Sequence, residues 1–169
     1  MISKKICLLG AFSVGKTSLV EQFVHSIFSD KYLTTLGVKI SKKDVAVDSV
    51  AVTLVLWDME GKDTYADVNL AYLRGAMGYL VVVDGMRKET LQAAMDLHHL
   101  AEKLSGKSLP FYFLINKADL VDQWEVTDAM LDSLDKKSIK FFRTSAKTGQ
   151  YVNEAFNALA RDMLLASRA

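Results

Sequence analysis

The sequence predicts a three-layer α/β fold: a six-stranded, mostly parallel sheet with one antiparallel strand, and helices on both faces. Three observations predict it. Short apolar runs alternate with longer amphipathic stretches almost throughout, the order that winds a parallel sheet. The run "GYLVVVD" is continuously apolar and rich in β-branched residues, as suits a strand covered on both faces. An early pair of alternating segments flanks "VDSV", which reads as a hairpin and supplies the antiparallel strand.

The elements follow in order. "KKICLLG" reads as a buried strand, and residues 15 to about 27 as a helix with Leu19, Val20, Phe23 and Val24 on one face. "GVKISKKDVAVDSVAVTLVLWD" is the hairpin, and "YADVNLAYLRGA" a short helix. After the strand "GYLVVVD", "ETLQAAMDLHHLAEKLSG" has helical period and ends at Gly106, a C-cap glycine. "LPFYFLINK" is another buried strand, "WEVTDAMLDSLDKK" a helix and "IKFFRTS" the last strand. "YVNEAFNALARDMLLAS" closes the chain as an amphipathic helix.

The totals bound the function. A chain of 169 residues suits one domain, so residues 1–169 are expected to form a single unit. Lys+Arg and Asp+Glu number 21 and 20, which argues against nucleic-acid binding and against a polybasic membrane face. The single cysteine, Cys7, excludes an internal disulfide and a cysteine-based zinc site, and its apolar run predicts burial. His25, His98 and His99 show no metal-like arrangement with partners and read as surface or packing residues. The apolar start is too short for a signal peptide, and no apolar run approaches the roughly 20 residues that cross a bilayer. A cytoplasmic monomer is expected.

Ligands in such folds sit at the carboxyl ends of the strands, and the motifs lie there. "GAFSVGKT", Gly10 to Thr17, has the G-x-x-x-x-G-K-[ST] spacing between a strand and a helix. The glycines let the backbone curl so that its N–H groups face inward, and the helix N-terminus adds positive potential. Lys16 would reach the outer phosphates and the Thr17 hydroxyl would ligate Mg2+. "NKAD", Asn116 to Asp119, follows a strand. The Asp119 carboxylate can accept from the two adjacent donors of guanine, N1–H and the 2-amino group, which adenine does not offer. If that carboxylate is buried, leaving it unpaired is costly, and the wrong base is rejected by factors of about 10⁴. Lys117 can lay its stem along the base. "TSAK", Thr144 to Lys147, offers backbone N–H groups, that of Ala146 above all, to the guanine carbonyl.

With "GAFSVGKT", the threonine of "TTLGV", "WDMEG", "NKAD" and "TSAK" in this order, nearly the whole chain resembles the Ras-like small GTPases. "TLGV" and "AYLRGAMGYLVVVD" make it similar to their Rab branch. The resemblance implies the three-layer P-loop NTPase fold and a switch that cycles between GTP and GDP. It implies that Ser13, Val14, Gly15, Lys16, Thr17 and Ser18 hold the phosphates. It also implies that Thr35 and Gly61 meet the γ-phosphate and that Tyr32 lies over the phosphates. Phe28 would pack edge-on against a guanine held by Asn116, Lys117, Asp119, Leu120, Ser145, Ala146 and Lys147. Mg2+ would be held by Thr17, Thr35 and, through water, Asp58. Lys16, Thr35 and Lys62 would be the catalytic set. Effectors would bind at the switch segments, and an exchange factor and a GTPase-activating protein are the implied regulators.

The chain departs from that pattern in places. Lys62 stands where these GTPases usually carry glutamine; a charged lysine only donates, so slow hydrolysis is expected. Phe12 and Ser13 stand where small residues are usual, and a ring there would crowd an arginine inserted in trans. The tail "RDMLLASRA" has no cysteine for a lipid anchor. Trp57 and Tyr72 match an effector-facing aromatic patch, but Ile40 replaces its phenylalanine. Two other readings stand beside the hydrolysing switch. One is a GTP-locked pseudo-GTPase acting as an interaction module. The other is a P-loop kinase, which would need an arginine-rich lid.

Overall fold

The computed structural model describes residues 2–29, 37–59 and 70–168. The strands are β1 (Ile2–Gly10), β2 (Val38–Val47), β3 (Val50–Met59), β4 (Ala76–Asp84), β5 (Phe111–Asn116) and β6 (Phe141–Arg143). The helices are α1 (Lys16–His25), α2 (Leu70–Leu73), α3 (Glu89–Ser105), α4 (Asp128–Lys136) and α5 (Val152–Arg168). They form one six-stranded sheet in the order β2-β3-β1-β4-β5-β6. Among the described residues, only the β2–β3 pair is antiparallel.

Strand period separates two cores. Ile6 and Leu8 of β1 point to the face covered by α1 and α5, with Phe23 stacked on Phe156 at 4.1 Å between centroids. Cys7 and Leu9 point to the opposite face, covered by α2, α3 and α4. Cys7 is buried as expected. Burial raises its thiol pKa to about 12 against the lowering effect of Lys5, so the sulfur is an inert core atom. Among the described residues no helix is long and apolar enough to cross a membrane.

Most expected elements are present, and the differences have local causes. Asp48 and Ser49 turn the hairpin with φ of 47° and 68°, the left-handed pair that suits the twist of the strands. The expected helix at 124–137 starts only at Asp128, because Thr127 caps it by accepting from the Met130 N–H at 3.2 Å. The residues before it form a 3-10 turn, Ala118–Gln123. Gly106, at φ 66°, ends α3 as expected. Only Leu70–Leu73 of the expected helix at 65–76 is observed as helix, and residues 65–69 lie outside the described residues.

Parallel pairing aligns the strand ends. Leu8 pairs with Asp58, Gly10 with Val82, and Asp84 with Asn116. The phosphate-loop motif, Asp58, Asp84 and "NKAD" therefore share one edge of the sheet.

Candidate functional site

The loop after β1 curls because two glycines permit it. Gly10 has φ 154°, and a Cβ there would lie 2.7 Å from the Val82 carbonyl oxygen. Gly15 has φ 103°, and a Cβ there would lie 2.3 Å from Asn116 Nδ2. Lys16 is the first residue of α1 and is buried; its Nζ donates to the carbonyls of Gly10 at 2.9 Å and Ala11 at 3.0 Å. The ammonium thus sits over the hollow of the loop. One turn of chemistry away, the Thr17 hydroxyl donates to Asp58 Oδ2 at 2.5 Å, and Asp58 is buried. Hydroxyl and carboxylate oxygens converging this closely are a hard donor set and fit Mg2+.

Asn116 organises the rest. Its Nδ2 donates to the Val14 carbonyl at 3.1 Å. Its Oδ1 accepts from Thr144 Oγ1 and from the Ala146 N–H, both at 3.3 Å. One buried amide therefore ties the phosphate loop to "NKAD" and to "TSAK". The Ala146 N–H, expected to meet a base carbonyl, is engaged here by Asn116. Gln22 of α1 adds a strap, donating from Nε2 to the Ala146 carbonyl at 2.7 Å. Asp119 accepts from Ser145 Oγ at 2.8 Å and is exposed at the mouth of the edge. It is not buried by protein, as the discrimination argument assumed, so only a base resting on it would bury it. Leu120 is half-buried and Lys147 exposed.

Sequence reading missed one linkage. Asp84, which is buried, accepts from Lys117 Nζ at 2.8 Å and from Arg87 Nε at 2.9 Å. Arg87 also donates from Nη2 to the Phe12 carbonyl at 2.6 Å. A carboxylate thus joins the base-loop lysine to the phosphate loop through an arginine. Trp124 supports the same loop, donating from Nε1 to the Lys117 carbonyl at 2.8 Å. The signal for Asp84 was present as the acidic end of an apolar strand; nothing marked Arg87. Arg87→Ala removes a charge-assisted bond to the loop, and release of a bound guanine nucleotide is expected to speed up roughly tenfold. Displacement of a fluorescent GDP analogue, followed over time, checks this.

Phe12 and Phe28 are each 39% exposed. Phe28 lies in the stretch after α1. Tyr32, Thr35, Gly61 and Lys62 lie outside the described residues. Tyr72 differs from expectation: it is 5% exposed, and the single hydrogen of its hydroxyl is shared between the Leu8 carbonyl, at 3.1 Å, and that of Trp57. It belongs to the core, packed in the cluster of buried residues on the α2–α3–α4 face. Val38 and Ile40 of β2 are exposed, with Ile40 paired to Trp57.

The histidines also depart from their reading. His98 is a packing residue as expected, with its ring 4.2 Å from that of Phe111 and its Nδ1 2.8 Å from the Tyr79 hydroxyl. It also comes together with His99 and Glu102 in a metal-compatible group, because helical spacing sets 98 and 102 one turn apart. Burial lowers the His98 pKa below its ordinary 6.5; Glu102 opposes this and His99 adds to it. Between that lowered value and 6.5 the unfolded chain binds more protons than the folded one, so this contribution to stability is full above about pH 6.5 and lost as pH falls through the lowered value. The thermal midpoint is expected to fall between about pH 7 and about pH 5, and to fall less in His98→Gln.

On a sheet of this order, the loop after β1 and the loop after β5 are braced together on one edge. A sequence profile of the Ras family matches residues 5–165. The chain is 32% identical over 164 residues to Ras-related protein Rab-13 of Mesocricetus auratus, covering 96% of this chain and 81% of that one. It is equally similar to Rab-13 of Bos taurus, at 32% with the same coverage. It is 31% identical over 160 residues to GTP-binding protein ypt2 of Schizosaccharomyces pombe, covering 94% and 80%. The chain belongs to the Ras family, close to its Rab branch.

Proposed function

We propose that residues 1–169 act as one guanine-nucleotide switch that hydrolyses GTP slowly and binds effectors through residues around 32–40 and 57–74. The observation that carries this reading is the Asn116 brace, which fixes a phosphate loop and the Asp119 loop relative to each other. Asp119 and Lys117 would select guanine, with Ser145 steadying the carboxylate. Ser13 to Ser18 would hold the phosphates by backbone N–H groups, and Phe28 and Tyr32 would flank the nucleotide. Thr17, Thr35 and Asp58 would hold Mg2+, which offsets phosphate charge when bound. The Gly61 and Thr35 N–H groups would order the switch segments only with a γ-phosphate present. The exposed Val38 and Ile40 are the apolar part of the effector face. An exchange factor and an activating protein would act at the same segments, from a cytoplasmic location.

Lys62 favours slow turnover, and in the limit a GTP-locked module, because an ammonium cannot accept a proton from the attacking water. Identifying the nucleotide released on denaturing the purified chain separates the two: GDP supports turnover, intact GTP the locked form. Single-turnover GTP loss in Lys62→Gln is expected to rise by about tenfold or more. An unchanged or lower rate would count against the role given to Lys62. Absence of both nucleotides, with no calorimetric heat from GTP or GDP, would remove the switch itself.

A further inference from the structure

We propose that His98, His99 and Glu102 on α3 form a binding site for a first-row divalent cation of the Zn2+ kind. His98 and Glu102 stand one helical turn apart and therefore share a face. His98 Nε2 lies 3.2 Å from Glu102 Oε1. Two ligands held at about 2.1 Å in tetrahedral zinc geometry are separated by about 3.4 Å, so this pair already stands at bite distance. His99 supplies the third donor: ligand atoms of all three residues lie within 4.8 Å of one another. The His98 and His99 rings are 5.4 Å apart between centroids. His99 and Glu102 are exposed, so a cation can enter from solvent and bring water to the remaining positions.

The inner residue is prepared for the task. Metal-binding histidines are oriented by a bond at the second ring nitrogen, and here Nδ1 of His98 meets the buried Tyr79 hydroxyl at 2.8 Å. Phe111 packs on the same ring and fixes its plane. Two imidazoles and one carboxylate suit Zn2+ and its neighbours, whereas Mg2+ prefers an all-oxygen set. The site is separate from the nucleotide edge. It lies on the later half of α3, beside the first residue of β5, at the amino ends of the strands.

The alternative is a packed histidine with a surface ion pair and no cation. Calorimetry with Zn2+ on the tag-free full chain, in millimolar excess Mg2+, distinguishes them. One Zn2+ per chain is expected, weakened at least about tenfold in His99→Ala and in Glu102→Gln and unchanged in His25→Ala. Both informative substitutions are at exposed positions, and unchanged circular dichroism and thermal midpoint in the absence of zinc verify their folding. Tyr79→Phe should weaken binding while leaving the stoichiometry at one. Co2+ should give visible absorption bands that the same two variants abolish. No saturable heat, or zinc binding equally tight in His99→Ala and Glu102→Gln, overturns the proposal.

Discussion

Asp119→Asn is expected to lower affinity for GDP by about 10⁴-fold and to make XDP the better ligand. The carboxylate can accept from both the N1–H and the 2-amino group of guanine. An asparagine amide puts a donor where one of those acceptors stood, and the 2-amino group then faces another donor. Xanthine has an oxygen in place of that amino group, so the changed edge pairs with it. Ser145, whose hydroxyl donates to Asp119 Oδ1 at 2.8 Å, can reverse its hydrogen and serve either side chain. Loss of GDP binding therefore should not come from collapse of the loop. Competition between GDP and XDP against a fluorescent analogue gives the answer. A GDP affinity that moves less than about tenfold would mean that the base does not rest on Asp119.

Gly15→Ala is expected to abolish stoichiometric nucleotide binding and also to destabilise the chain. The residue sits at φ 103° and ψ 22°, where side chains are strained. Its Cβ would fall 2.3 Å from Asn116 Nδ2, so the amide must move. Moving it breaks the bond to Val14 and disturbs those from Thr144 and Ala146. Strain and lost bonds together cost about 3 kcal/mol, or roughly 6–12 °C in midpoint for a chain of this size. Gly106→Ala is the control. It has φ 66° and no atom within 4 Å of its Cβ, so it should lose about 1 kcal/mol from strain alone and keep its nucleotide. Equal losses in the two variants would show that the contact with Asn116 is of no consequence.

The sheet and its helices were legible because their signals are local. "GYLVVVD" and "FYFLI" carry burial on both faces in their composition, and both are strands of the sheet. "GAFSVGKT" carries a loop geometry in its glycines, and the structure realises it. What was not legible depends on residues that meet across the chain. Arg87 and Phe12 are 75 positions apart, and Lys117 and Asp84 are 33 apart. No periodicity or spacing announces such pairs, which exist only once β1, β4 and β5 are aligned. Tyr72 was misjudged for the same reason, since its hydroxyl partners on β1 and β3 are set by strand order. Thr127 is a readable cap, but the amphipathic pattern already begins at Trp124, three residues before it. His98, His99 and Glu102 were readable as helical neighbours, but the depth of His98 and its tie to Tyr79 were not.

Asn116 is a keystone: one amide at the meeting point of three loops. A cleft assembled around such a stone does not lose its two ends separately, because the shift that frees the phosphate cradle also frees the base strand. A nucleotide seated on both ends would then be held or released as a whole, since the same amide bonds to the phosphate loop and to Thr144 and Ala146.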